Sequence, residues 1–276
     1  MRSLRIGGRT VTGGVGILAF FLSSAALIAQ APAAADDVGS KVWIGKAKEY
    51  EDYLRTAEVV KMEEVGLGVT HPRHAHLAPG GLCEGMAWKP IRPGMYSGFW
   101  ESYKAEIAAY EMDKLLGLNM VPPTVERRIN GDLGAAVLWA SPVHSFHDFG
   151  GMPTPPPQYF EAWNRQIVQA KMFDDLIGNT DPNLGNWLFD PSWHLILIDH
   201  SRALTNTKTR PHKLTRIDGA LWEKMLALTP ESLTASPVGQ WLDKGAIKAI
   251  IARRDDMKKD IDKLIASQGE AAVVMK

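Results

Sequence analysis

Three side chains in one short stretch have the types and spacing for phosphoryl transfer. Asp181 precedes Asn186 by five residues, and Asn186 precedes Asp199 by thirteen. Between them lie the apolar runs Trp187-Leu-Phe and Leu195-Ile-Leu-Ile. Such transfer needs a carboxylate to orient the attacking hydroxyl, and an amide and a second carboxylate to hold Mg²⁺ on nucleotide phosphates. Asp181 suits the first role; Asn186 and Asp199 suit the second. Polar loop, short strand, turn, apolar strand and acid is the order that brings the three together. The same residues also read as two plain turns of a β-hairpin, and the spacing alone leaves both readings open.

Phosphates also need covering and charge. Gly66 and Gly68 lie in Glu64-Val-Gly-Leu-Gly-Val-Thr70, where glycine permits the close backbone approach of a phosphate-cradling turn. A plain hairpin turn is the alternative. Lys89 ends the short apolar run Glu84-Gly-Met-Ala-Trp-Lys89. Glu106 follows seventeen residues later, among small and apolar neighbours. A strand lysine paired with a helix glutamate positions α- and β-phosphates in protein kinases. The alternative for Glu106 is a surface position with local partners such as Lys104. Glu101 and Glu111 are further candidates for the pairing.

Elements must hold these groups in place. Residues 37–56 read as a polar helix anchored by Trp43, Tyr50 and Tyr53. Residues 57–61 and 73–77 read as strands around the glycine turn. The pattern predicts a helix from Glu101 to Leu116, with Ile107, Tyr110, Met112, Leu115 and Leu116 inward and Gly117 as its cap. Two antiparallel strands follow, around Asn130-Gly131, and the second runs into Ser141-Pro-Val. Phe160 to Ile177 carries Trp163, Ile167, Ala170, Phe173 and Ile177 on one helical face and stops at Gly178-Asn179. Asp174 and Asp175 near its end suit solvent or helix packing better than a metal. Residues 187–189 and 195–198 form a short hairpin. Residues 221–228 and 244–267 read as helices, the second with its isoleucine-rich face toward the core.

Composition narrows the classes. The 276-residue chain has 31 basic and 31 acidic residues, which argues against a nucleic-acid binder. A single cysteine, Cys83, excludes an intrachain disulfide and a multi-thiolate metal site. Arg2, Arg5 and Arg9, an apolar run over residues 15–29 and the small residues to Ala35 follow the order of a secretory signal. The run is shorter than the ~20 residues of a membrane span. Residues 1–35 are therefore expected to direct export to the periplasm or beyond, with cleavage after Ala35. An uncleaved segment, acting as an N-terminal anchor, would be the sole membrane contact.

Taken in order, these motifs resemble a family. Asp181 to Asn186 with Asp199, and Leu176-Ile-Gly-Asn-Thr-Asp181, resemble the catalytic loop and later aspartate of HipA-type and phosphatidylinositol-kinase-like proteins. Ala87-Trp-Lys89-Pro looks like their nucleotide-lysine strand. Glu106-Ile-Ala-Ala-Tyr, Leu115-Leu-Gly-Leu and Val121-Pro-Pro-Thr are similar to the helix and next strand of the same group and of secretory-pathway kinases. The resemblance runs from about Ala57 to Leu204. It implies an α+β, two-lobed, protein-kinase-like fold. Residues 36–142 would be an N-lobe of a small antiparallel sheet plus one helix. Residues 143–276 would be a mostly helical C-lobe with the catalytic loop and metal site. The implied activity is transfer from ATP, with Mg²⁺ or Mn²⁺, to a hydroxyl acceptor whose identity the sequence leaves open. Pro182 and Asn183 replace the usual basic residue and histidine, and no glycine follows Asp199. These departures keep two alternatives in view: a pseudokinase that binds at the cell envelope, and nucleotidyl transfer on the same scaffold.

Two further clusters compete for attention. His71-Pro-Arg-His74-Ala-His76 places three imidazoles within six residues. His74 and His76 would share a strand face, and Glu63 or Glu64 could complete a metal site; an exposed loop and strand is the alternative. His144, Ser145, His147 and Asp148 have triad residue types but no nucleophile elbow, so hydrolase chemistry is set aside.

Overall fold

The computed structural model describes residues 39–65, 72–179, 181 and 183–276. The expected export signal, Gly66, Gly68, His71 and Pro182 lie outside the described residues. From residue 39 onward the described chain belongs to one compact unit.

The first half runs α1 (Ala47–Thr56), β1 (Val59–Glu64), β2 (Arg73–Leu77), β3 (Gly85–Lys89), the hairpin β4 (Gly94–Tyr96) and β5 (Phe99–Glu101), α2 (Tyr103–Leu116), β6 (Thr124–Ile129) and β7 (Asp132–Leu138). β1, β2, β3, β7 and β6 form a five-stranded sheet in that order, antiparallel throughout. Its two faces follow from strand alternation. Ala75, Met86, Trp88, Val125 and Ala136 pack against Trp43, Tyr50 and Leu54 in and before α1. The other face turns Ala135 and Val137 onto Tyr103 and Ile107 of α2.

Several boundaries differ from the expectation for local reasons. α1 begins at Ala47, ten residues late, because Gly39 and Gly45 adopt left-handed φ values of 52° and 74° that interrupt a helix. α2 begins at Tyr103, since Glu101 is paired in β5 with Gly94 and Ser102 caps the helix by accepting from the Lys104 N–H. Leu115 is exposed on the outer side of α2's last turn and is not part of its buried stripe. Asn130 and Gly131 alone connect β6 to β7: Ile129 pairs with Asp132, and both turn residues have positive φ, the two-residue hairpin that Asn-Gly favours.

The second half is mostly helical. It runs β8 (His144–Ser145), α3 (Phe160–Ile177), β9 (Trp187–Phe189), β10 (Leu195–Leu197), β11 (Ile217–Asp218), α4 (Gly219–Leu226), α5 (Pro230–Ala235), α6 (Lys244–Gln268), α7 (Glu270–Val273) and β12 (Val274–Met275). β9 and β10 form the expected hairpin, with β8 added on the β9 side. The largest apolar core joins α3 and α6 to this hairpin and to Ala108, Ala109, Tyr110 and Met112 of α2. Helix α2 is thus buried on both sides and ties the sheet to the helical half. No helix among the described residues is long and apolar enough to cross a membrane. The architecture is α+β: a small antiparallel sheet with one inner helix, followed by a helical half.

Candidate functional site

Lys89 and Glu106 meet. β3 ends on Lys89, and α2 presents Glu106 one turn in from its cap. The Lys89 Nζ donates to Glu106 Oε1 at 2.7 Å and to Asp199 Oδ1 at 2.9 Å. Both Lys89 and Glu106 are buried. The second oxygen of Glu106 accepts the His200 backbone N–H at 3.0 Å, so the helix glutamate holds the strand and the Asp199 segment together. Burial works against the Lys89 charge, but the Asp199 and Glu106 carboxylates outweigh it and raise the ammonium pKa above its ordinary value. Burial likewise opposes ionisation of Asp199, yet Lys89 prevails and holds that carboxyl below its usual range. Burial lowers the pKa of His200 despite the nearby acids.

Asp181 and Asn186 precede the β9–β10 hairpin and Asp199 follows it. The Ile198 N–H donates to the Asn186 carbonyl at 3.0 Å, which sets Asp199 beside Asn186. The Asn186 amide donates from Nδ2 to the Asp181 carbonyl at 3.1 Å, leaving its side-chain oxygen as the group suited to a cation. Asp199 has a φ of 61°, a left-handed conformation that costs a non-glycine residue roughly 1–2 kcal/mol and that clusters at functional sites. The loop before it is anchored from α3. Asp174 Oδ1 accepts from Asn179 Nδ2 at 3.1 Å, and Asn179 Oδ1 accepts the Asp181 N–H at 3.2 Å. Asp174 and Asp175 are thus packing acids, as expected, and both are buried.

One partner of the site was not anticipated. Arg202 Nη1 stands 3.1 Å from Asp181 Oδ2, and its Nε donates at 2.9 Å to Glu101 Oε1. Glu101 is fully buried, and the guanidinium lies 4.3 Å from the centre of the Phe99 ring. Glu101 therefore belongs to Arg202 and not to Lys89, and Glu111 pairs with Lys114. Arg202 lies three residues past Asp199; that nearness was the available signal, but its carboxylate partners are set only by the tertiary fold.

The other clusters separate cleanly. Ser145 and Asp148 form a reciprocal helix cap, with each backbone N–H donated to the other's side chain, so they make no triad. Glu63, His74 and His76 do converge, on the sheet face that carries Lys89. A cavity of about 680 Å³ opens beside the N-terminal end of α2, lined by Trp100, Lys104, Thr205 and Trp241 among others. It includes none of Lys89, Asp181, Asn186 or Asp199.

The order and packing of these elements are also found over most of the chain in solved structures. Hydra Fam20, determined with sugar, superposes with a TM-score of 0.63 at 14% identity, covering 83% of this chain and 92% of its own. The chain has a protein-kinase-like fold. The Golgi casein kinase with Mn/ADP bound gives a TM-score of 0.61 at 14% identity, over 84% of this chain and 79% of its own. The Helicobacter pylori proinflammatory kinase CtkA gives 0.50 at 12% identity, over 81% and 99%. No family model and no curated protein matches the sequence. The protein-kinase-like fold is therefore shown at the level of three-dimensional structure.

Proposed function

We propose that this kinase-like protein binds ATP with Mg²⁺ or Mn²⁺ and transfers the γ-phosphoryl group to a hydroxyl acceptor. The observation that carries this reading is the buried Lys89 held between Glu106 at 2.7 Å and Asp199 at 2.9 Å. Lys89 would bind the α- and β-phosphates, with Glu106 fixing its direction. Asn186 and Asp199 would hold the divalent ion; an amide oxygen and a carboxylate are hard oxygen donors that fit Mg²⁺ or Mn²⁺. When bound, that ion would offset the charge of the phosphates. Asp181 would orient the acceptor hydroxyl and take up its proton as the O–P bond forms. Gly66 and Gly68 would cover the phosphates. The lobes would divide near residues 142 and 143, after β7. Residues 1–35 would direct export, making the site periplasmic or extracellular.

A second reading is a pseudokinase that binds without transfer. It is favoured by the Arg202–Asp181 contact at 3.1 Å, which engages the proposed base, and by Asn183 in place of the usual histidine. The two readings part on one experiment: purified protein with Mg²⁺ or Mn²⁺, ATP labelled at the γ or the α position, and protein, sugar and lipid acceptors. Transfer of γ label that falls by a factor of about 10²–10⁴ in Asp181→Asn, while nucleotide binding persists, supports the kinase. Transfer of α label supports nucleotidylation. Binding without either label moving supports the pseudokinase.

A further inference from the structure

Glu63, His74 and His76 stand apart from the phosphate-transfer residues, and each offers a ligand atom within 4.8 Å of the other two. Strand register brings them there. His74 and His76 are two apart in β2 and share a face, and Glu63 in β1 lies directly opposite His74. Opposed residues of an antiparallel pair point to the same side. On the other edge of β2, His74 pairs with Ala87, two residues from Lys89. The cluster therefore lies on the sheet face that carries the lysine, displaced along the strands.

The imidazoles are positioned, not loose. The His74 ring stacks on Trp139 with centroids 3.9 Å apart and planes 14° from parallel. The His76 ring lies 4.2 Å from that of His74. Gly85 pairs with His76 across the strands, and a β-carbon there would come within 2.4 Å of His74 Nε2, so glycine makes room for this ring. His76 Nε2 is 2.8 Å from Glu63 Oε2, and Glu63 Oε1 is paired with Lys61. Glu63 is exposed and both histidines are half-buried, which leaves the site open to solvent. Two imidazoles and one carboxylate form a three-ligand set that suits zinc and keeps a fourth position open.

We propose that Glu63, His74 and His76 bind a divalent transition-metal ion, zinc by its donor set, that clips β1 to β2. The site is distinct from the Asn186–Asp199 pair, and the inference is independent of the phosphotransfer reading. An ion taken between His76 Nε2 and Glu63 Oε2 would replace the hydrogen bond that now joins them, and its binding would raise the melting temperature by stabilising the folded chain.

The test uses tag-free, chelator-treated full chain titrated with ZnCl₂ by calorimetry, and with Co²⁺ followed by visible absorption. The expected result is one zinc per chain, a four-coordinate cobalt spectrum, and a rise in melting temperature. His76→Gln and Glu63→Gln should each weaken zinc binding at least tenfold and abolish the cobalt band. Both side chains reach solvent, so far-UV circular dichroism and the metal-free melting temperature should match the wild type. Asp199→Asn should leave zinc binding in place. Absence of zinc uptake, uptake unchanged in both glutamine variants, or uptake lost only in Asp199→Asn would each overturn the assignment.

Discussion

At the scale of single residues, charge compensation around Lys89 decides what can be changed. Its ammonium satisfies two acids, Glu106 and Asp199. Replacing it with methionine leaves Glu106 buried without its cation. Loss of one partner of such a pair costs about 1–3 kcal/mol or more, so Lys89→Met should lower the urea midpoint while keeping a cooperative transition. Asp175 makes a pH prediction. Burial raises its carboxyl from an ordinary value of 3.8 to about 6, against the opposing His212 N–H and Arg210. Between those two pH values the folded state binds more protons than the unfolded state, so stability must fall as pH rises through that window. Asp175→Asn should flatten that part of the melting-temperature profile; an unchanged profile would assign the slope to other groups. The pairing of Lys89 with Glu106 was legible in the sequence, because a short apolar strand ending in lysine and a helix glutamate among small neighbours have recognisable types and spacing. Arg202 and Glu101 were not, because an ion pair across about a hundred residues has no local signature.

At the scale of elements, close backbone approach sets the geometry of the strand that ends in Lys89. A β-carbon on Gly134 in β7 would lie 2.6 Å from the Lys89 carbonyl oxygen, inside contact distance. Gly134→Ala must therefore push β3 away from β7. Overpacking of this kind costs about 1–3 kcal/mol, and it should weaken nucleotide binding as well as stability, since Lys89 ends the displaced strand. Measuring both on one preparation checks the coupling; a stable variant with wild-type binding would show that the strands relax freely. Elements with strong periodicity or an evident stop were legible in the sequence. α3 ends at Gly178 as its pattern indicates, and Asn130-Gly131 makes the tight turn its dipeptide favours. The short pairings β4–β5, β8 with β9, and β11–β12 were not. Two- and three-residue strands carry no periodicity, and their partners are fixed by packing of larger elements. The late start of α1 shows the same limit: the polar run from residue 37 reads as helical until two left-handed glycines interrupt it.

At the scale of the whole molecule, the order of motifs was more informative than any one of them. The strand ending in Lys89, the helix of Glu106, the β6–β7 hairpin and the segment from Asp181 to Asp199 follow each other in the order that the resemblance implies, and the resulting α+β fold superposes on Fam20 and the Golgi casein kinase. Helix α2 is the reason this order works in space. It packs on the sheet through Tyr103 and Ile107 and on the helical half through Ala108, Ala109 and Met112, so Glu106 reaches both Lys89 and the segment after Asp199. That double burial also explains why the described chain behaves as one compact unit.

In the proposed function, Lys89, Asn186 and Asp199 would form one nucleotide–metal centre. Calorimetric titration of ADP into the protein, with Mn²⁺, with Mg²⁺ and with chelator, tests it most directly when repeated on Asp199→Asn. The expected result is one nucleotide per chain, dependent on the divalent ion, with affinity reduced at least tenfold in the variant while the fold persists. Nucleotide binding that ignores both the ion and Asp199, or no binding with any divalent ion, would contradict it.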